Sequence, residues 1–417
     1  MDLWECAFLL KLCPMMVVAG TLSLISSIPM TSKKPGCGCG SIPFSFIIAI
    51  AGASYWWLIS QGHFKDLARF LPDNIKSTNP IASPAPVNIS VELPTPVSTP
   101  AIAKLPTPNA PLAPPKPSLA PTLWDKKIIR GIYLSRYQVT NNADEQTIRG
   151  RVRYYHDRGI NTIIHGVWGN GCTMYKSAVM QQTLGYQSCP NQFQDRWLEW
   201  TIDEAHKQGM QVHGYFEKGI KIDQNSPIYA LAVEKKWLVP GVDKSYAKID
   251  HYVLDIRIPE VATFFKQIVA EFVTKYPKVD AVQWDDYLGY NAELPGAIDR
   301  TADLTLFVQQ TISEMKRANP AVSFDICHHN PYWAKRYFAA DWQNWKVDRV
   351  FIQAYNDANF NQELDYAANY AGVSISDGQL PRLKQLVNNP KIKGILIFPL
   401  AGNPEATAAS LKEYYSK

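Results

Sequence analysis

From about Trp124 to Lys417 the chain alternates short apolar runs with amphipathic stretches, eight times over, and this rhythm restricts the folds open to it. Strand patterns fall at 129–135, 161–168, 211–217, 280–285, 322–328, 349–355, 371–376 and 393–399. Helical patterns lie near 144–158, 194–208, 259–276, 301–318, 334–345, 362–369, 378–388 and 403–415. Turn signals close several helices just before the next strand, as at Asp157-Arg158-Gly159, Lys207-Gln208-Gly209 and Asn319-Pro320. Apolar strands separated by helices require a parallel sheet covered on both faces. Eight such units in roughly 290 residues give the arithmetic of an α/β fold, the (β/α)8 TIM barrel over 124–417. An open doubly wound sheet is the alternative; it is disfavoured because no Gly-x-Gly-x-x-Gly follows the first strand.

The N-terminal third reads differently. Residues 1–71 are expected to form a membrane-anchor region. The segment 42–60 has no charged residue and is about the length of a membrane-spanning helix, with Tyr55, Trp56 and Trp57 near one end as an interfacial belt. A second apolar stretch, 12–30, is interrupted by Pro14 and Pro29 and is either a second span or a stretch before the natural start at Met30. With Lys33 and Lys34 inside, either version places the C-terminus outside the cytoplasm, although Lys65 and Arg69 nearly balance the charge bias. Residues 72–122 hold about half of the 30 prolines, with repeated Pro-x-Pro pairs. Such a segment cannot bury a core, favours an extended polyproline conformation and serves as a disordered linker. Cys172 and Cys189 share one expected loop and either pair or stay reduced, depending on compartment; Cys327 sits in a strand as a buried thiol.

In a barrel, functional side chains gather at the C-terminal ends of the strands. The polar residues there are Ser135 and Arg136, then Trp168 and Asn170, Glu217, Asp285 and Asp286, Asp325 and His328, and Gln353, Tyr355 and Asn356. The strand Asp280-Ala-Val-Gln-Trp-Asp-Asp-Tyr287 ends in two adjacent carboxylates. Alternation puts Gln283 and Asp285 on one face, Trp284 and Asp286 on the other. Glycoside hydrolysis needs two carboxyl groups, one to protonate the leaving oxygen and one to attack or to activate water. Asp285, Glu217 and Asp325 are the catalytic candidates; each has a competing structural reading as a cap, an ion-pair partner or a buried acid. Asp286, facing the other way, is read as anchoring the following loop beside the substrate. Gln283, Trp168, Asn170, His328, Gln353, Tyr355 and Trp333 are the remaining substrate-binding candidates, with core packing the alternative for both tryptophans. His165 reads as a core histidine. His328 and His329 face opposite ways on a strand and cannot readily share an ion, so no metal and no cofactor is expected.

With those strands in place, the chain resembles the glycosyl-hydrolase-like family 10 proteins (the DUF187 group). The likeness rests on Arg130-Gly-Ile-Tyr-Leu134, Asn161-Thr-Ile-Ile164, Val167-Trp168, Tyr175-Lys-Ser177, Tyr215-Phe-Glu-Lys-Gly219, Asp280-Ala-Val-Gln-Trp-Asp-Asp-Tyr287, Asn330-Pro-Tyr332, Asp341-Trp342 and Gln353-Ala-Tyr355. It departs from the family pattern at Ala281 and in Asp325-Ile-Cys-His-His-Asn-Pro331. The resemblance implies a (β/α)8 hydrolase, some relatives of which act on cell-wall glycan stripped of its peptides. A further likeness to the fourth strand of amylase-type barrels implies Asp285 as nucleophile and leaves the acid open between Glu217 and Asp325.

The expected protein is therefore a membrane-anchored glycoside hydrolase of the cell envelope with a polysaccharide substrate, its catalytic domain outside the cytoplasm. A non-catalytic glycan-binding barrel and a metal-dependent hydrolase are the alternatives. A net charge of +5 on 417 residues is too mild to argue for nucleic acid, and oligomeric state stays open.

Overall fold

The computed structural model describes residues 121–135, 142–244, 250–290, 294, 299–400 and 402–416. Both candidate membrane spans (12–30 and 42–60), the 72–122 linker up to residue 120, and Arg136 lie outside the described residues. Among the described residues no helix is long and apolar enough to cross a membrane.

Eight parallel strands close into a barrel. They are β1 (Ile129–Leu134), β2 (Thr162–Gly169), β3 (Gln211–Phe216), β4 (Ala281–Asp285), β5 (Ser323–His328), β6 (Arg349–Gln353), β7 (Gly372–Ser376) and β8 (Gly394–Phe398). Each pairs with the next, and β8 returns to β1 with Ile129 opposite Gly394. All eight were expected from the sequence to within two residues at each end. The outer helices are α1 (Glu145–His156), α2 (Trp197–Lys207), α3 (Pro259–Lys275), α4 (Thr301–Ala318), α5 (Pro331–Phe338), α6 (Phe360–Ala367), α7 (Leu383–Asn388) and α8 (Pro404–Ser416).

The fifth helix differs from its expected span of 334–345. The Asn330 side chain accepts from the Trp333 amide at 3.0 Å and Pro331 takes the first helical position, so the helix starts early. Ala339, left-handed at φ 54°, ends it. Only a 3₁₀ turn, Trp342–Asn344, follows within the expected span.

Apolar burial divides between two clusters. Inward-facing Ile129, Tyr133, Ile164, Tyr215, Cys327, Phe351 and Leu396 fill the barrel axis. Outward-facing side chains pack against the helices, including Trp168, Phe216 and Trp284 against Phe264, Phe265 and Phe272 of α3. Gly214 permits that approach, because a Cβ there would meet the Phe272 ring at 2.4 Å. Cys172 and Cys189 are disulfide-bonded in the loop after β2, and Cys327 is a buried free thiol.

Candidate active site

The barrel axis holds two polar layers. In the lower one, Arg349 Nε donates to Asp325 Oδ1 at 2.9 Å and Nη2 forms an ion pair with Oδ2 at 2.8 Å, while Ser323 Oγ donates to Oδ1 at 2.6 Å. His213 lies 3.1 Å from Gln283 Oε1, and Gln283 Nε2 donates to the Tyr133 hydroxyl at 2.6 Å. Burial lowers the pKa of His213. Asp325 and Gln283 are opposite one another in the β4–β5 register, both fully buried, one step below Asp285. The layer is charge-paired within itself, with Asp325 Oδ2 held by the guanidinium ion pair alone. Asp325 is thus held as the partner of Arg349, and Gln283 as a bridge to Tyr133, beneath the mouth where Asp325 was expected as a catalytic carboxyl and Gln283 as a substrate contact. Below them a cavity of about 510 Å³ opens at the strand N-termini, lined by Gln211, Lys278, Asp280, Ser323 and Arg349. Asp280 is engaged there by His206 and the Val212 amide.

The upper layer gathers carboxylates. Asp285 ends β4 facing inward, and Tyr215 of β3 donates its hydroxyl to Asp285 Oδ2. The Tyr287 amide donates to Asp285 Oδ1 at 3.0 Å. Asp286 does not follow the strand alternation. The chain turns at once, with the Leu288 amide on the Asp285 carbonyl at 2.9 Å, and Asp286 meets the inward-facing Gln353. Gln353 Nε2 donates to it at 3.0 Å, and His329 Nε2 stands 3.4 Å from its other oxygen.

Glu217 reaches the same place from β3. It is the first residue past that strand, in a turn with two consecutive left-handed residues, Lys218 (φ 65°) and Gly219 (φ 47°). A Cβ on Gly219 would stand 2.8 Å from the Tyr287 carbonyl group, so the turn carrying Glu217 presses on the turn carrying Asp286. The charges act on one another accordingly. Burial, then the Asp286 charge, push the Asp285 carboxyl up to about 8; Tyr215 and the Tyr287 amide pull it down and Glu217 adds to the rise. Asp285, Asp286, Glu217 and Asp223 together raise the Tyr287 phenol beyond what its burial alone does.

The remaining expected residues divide. Gln353 and Tyr355 line the mouth, Tyr355 bonded to Ser374 Oγ at 2.9 Å. Trp333 is half-buried at the start of α5, against Tyr337. Trp168 is fully buried on the outer face; its Nε1 donates to the Gly219 carbonyl at 3.0 Å, so it supports the Glu217 turn from behind and offers no ring to a ligand. Asn170 (φ 53°) binds the Asp223 amide at 2.7 Å and Asn225 at 3.1 Å, organising the loop after β3 instead of facing the carboxylates. His328 points outward among Phe338 and Trp345, where burial lowers its pKa to about 3. The neighbouring His329 is the histidine that reaches the site. Among the described residues no group of three or more His, Cys, Asp or Glu side chains is arranged to hold a metal ion. Tyr215 and Tyr287 join the site beyond the residues expected from the sequence, and His329, weighed there only as a metal ligand, takes the place expected of His328. For Tyr215 the signal was present: it shares the inward face of its strand with His213 and lies opposite Gln283.

The model of the family described as Glycosyl hydrolase-like 10 matches residues 128–301. Over that segment the chain is similar to the family. It runs from β1 to the start of α4 and includes Tyr215, Glu217, Asp285 and Asp286. The chain is also similar to proteins named Glycosyl hydrolase DigH from Escherichia coli (strain K12) and Shigella flexneri. Identity is 29% over 224 residues, which is 46% of this chain and 48% of each relative. The chain thus spans about half the length of the curated relatives it matches. Among solved structures, a GH36 α-galactosidase from Geobacillus stearothermophilus aligns over 70% of this chain and 42% of its own, at 15% identity and TM-score 0.43. A family 20 β-N-acetylglucosaminidase aligns over 69% and 70%, at 10% identity and TM-score 0.44.

Proposed function

We propose that the chain is a glycoside hydrolase of the cell envelope, with peptide-free peptidoglycan glycan strands as the substrate that the family resemblance suggests. The observation that carries the reading is the convergence of Asp285, Asp286 and Glu217 from two adjacent strand ends on one barrel mouth. Cleaving a glycosidic bond requires a carboxyl group that holds a proton near neutral pH and a second one to act at the anomeric carbon.

Asp285 suits the first role. Its carboxyl, raised to about 8, retains its proton at pH 7 and can hand it to the departing glycosidic oxygen. Tyr215 and the Tyr287 amide fix both of its oxygens, which sets the direction of transfer. Glu217 is then the partner carboxylate, either attacking the anomeric carbon or taking a proton from the attacking water. Asp286, oriented by Gln353 and His329, keeps the proton on Asp285 through charge repulsion. This assignment departs from the amylase-type analogy, in which Asp285 would be the ionised nucleophile; burial opposes that ionisation.

Separate features support a reading of the localisation. The uncharged segment 42–60 is long enough to span a bilayer, and the Cys172–Cys189 bridge suits an oxidising compartment. We place the barrel outside the cytoplasm, tethered by the proline-rich linker. Recovery of the full-length protein in a soluble cytoplasmic fraction would overturn the anchor. The catalytic reading is tested by reducing-sugar release from peptide-free glycan strands. Release by the wild type and none by Asp285→Asn is expected; equal release by both would remove Asp285 from the chemistry.

A further inference from the structure

Helix α5 carries its aromatic side chains on the wrong side for a helix that packs only inward. At 100° per residue, Pro331, Ala334 and Phe338 share one face, and Ala334 is fully buried there. Tyr332, Trp333, Arg336 and Tyr337 share the opposite one, linked by i,i+3 and i,i+4 spacing. Tyr332 is 63% exposed and Tyr337 40% exposed, and Trp333 lies against Tyr337 with ring centroids 4.6 Å apart. Lys335 is occupied by Asp341 at 2.9 Å, whereas Arg336 is exposed and has no ion-pair partner among the described residues.

The patch is continuous with the candidate site. His329, beside Asp286, precedes the helix by two residues, and its ring stacks on Phe338 at 4.9 Å. The Phe338 carbonyl accepts from the Tyr290 amide at 2.9 Å, which ties the far end of α5 to the loop that follows the two carboxylates. The helix is therefore fixed at the mouth by both ends, with its aromatic face turned to solvent.

We propose that this face of α5 is a docking surface for the continuation of a polysaccharide whose sugars carry carboxylates. Pyranose C–H faces pack on the exposed rings, which sit on two successive turns about 5.4 Å apart. Arg336 takes a sugar carboxylate as a charge-assisted hydrogen-bond pair. The surface rests on the hydrolase reading of the mouth for its position, but its ligand chemistry is read from α5 itself.

The test uses the full-length chain carrying Asp285→Asn, so that bound polymer is not consumed. Two probes are compared by equilibrium binding: peptide-free peptidoglycan strands, which carry lactyl carboxylates, and chitohexaose, which is neutral. Arg336→Gln should weaken strand binding by about fivefold and leave chitohexaose unchanged. Trp333→Ala with Tyr337→Ala should weaken both by about tenfold. Unchanged strand binding in these variants overturns the surface. An equal loss for both probes in Arg336→Gln overturns the carboxylate contact. A fall in oligomeric state on altering the patch, without loss of glycan binding, overturns it in favour of a protein interface. Arg336→Gln is an exposed polar exchange and keeps the test open should the double aromatic variant unfold. If the wild type releases no sugar from the strands, the hydrolase reading fails while the binding differences still decide the surface.

Discussion

The two polar layers of the barrel are built from similar residues and treat charge in opposite ways. Below, Asp325 and Arg349 are opposite in sign and mutually bonded, and His213, Gln283 and Tyr133 complete the set. Above, three acids, Asp285, Asp286 and Glu217, crowd one another, and burial with the other two carboxylates keeps the proton on Asp285. The lower arrangement neutralises its buried carboxylate with a partner of opposite charge. The upper one holds like charges together in a low-dielectric mouth, beside a backbone turn with Lys218 at φ 65°. A fold has no structural use for that crowding. It costs stability, and such costs concentrate where a protein does chemistry.

If this contrast is right, removing charge from the two layers should have opposite effects. The largest expected change is in the upper layer. Asp285→Asn should lower turnover by about 10²–10⁴-fold, the scale of a lost general acid. The same variant should be more stable at neutral pH by about 1–2 kcal/mol, as is common when a crowded catalytic carboxylate is removed. The pH dependence follows from linkage. The unfolded carboxyl releases its proton near 3.8 and the folded one near 8, so the folded state binds more protons in between. Wild-type stability should fall as pH rises through that window, and Asp285→Asn should flatten the fall. Denaturant unfolding at pH 5 and pH 8 measures both; a variant less stable than wild type at pH 8 would contradict the strain in the upper layer.

In the lower layer the sign reverses. Arg349→Met leaves Asp325 buried without its guanidinium and should cost about 3–5 kcal/mol. The protein that remains folded should keep its pH profile, because Asp325 lies one register step beneath Asp285. Selective loss of activity with unchanged stability would instead return Asp325 to the catalytic set.

The sequence disclosed the barrel more fully than the site. Strand and helix positions depend on local periodicity, and 280–285 or 393–399 could be read from apolar runs bounded by turns. Asp285 could be read because it ends such a run on an inward position. Asp286 was misplaced because alternation stops where the strand stops, and the turn after Asp285 folds it back over the mouth. Trp168 and His328 failed as ligand contacts for the complementary reason. Both lie on outward-facing positions, and whether an outward side chain meets a helix or a ligand depends on tertiary packing. The Asp325–Arg349 pair joins residues 24 positions apart on neighbouring strands, a pairing that only the register decides.

The smallest expected effect concerns the link between the two layers. Tyr133 bonds Gln283 below and packs edge-on against Tyr215, which donates to Asp285 above. Tyr215→Phe keeps the ring and removes only that hydrogen bond, one of the two forces holding the Asp285 pKa down. A hydrogen bond to a charged group contributes about 1.5–3 kcal/mol, and one pH unit corresponds to about 1.4 kcal/mol. The alkaline limb of turnover, expected near pH 8 in the wild type because the acid must be protonated, should therefore move up by about one to two units, with little loss of rate on the acid side. The direction carries the argument. Were Asp285 the ionised nucleophile, turnover would rise through that pKa, and Tyr215→Phe would suppress activity at neutral pH. A positioning role without electrostatic coupling would lower the rate at every pH and leave the limb where it was.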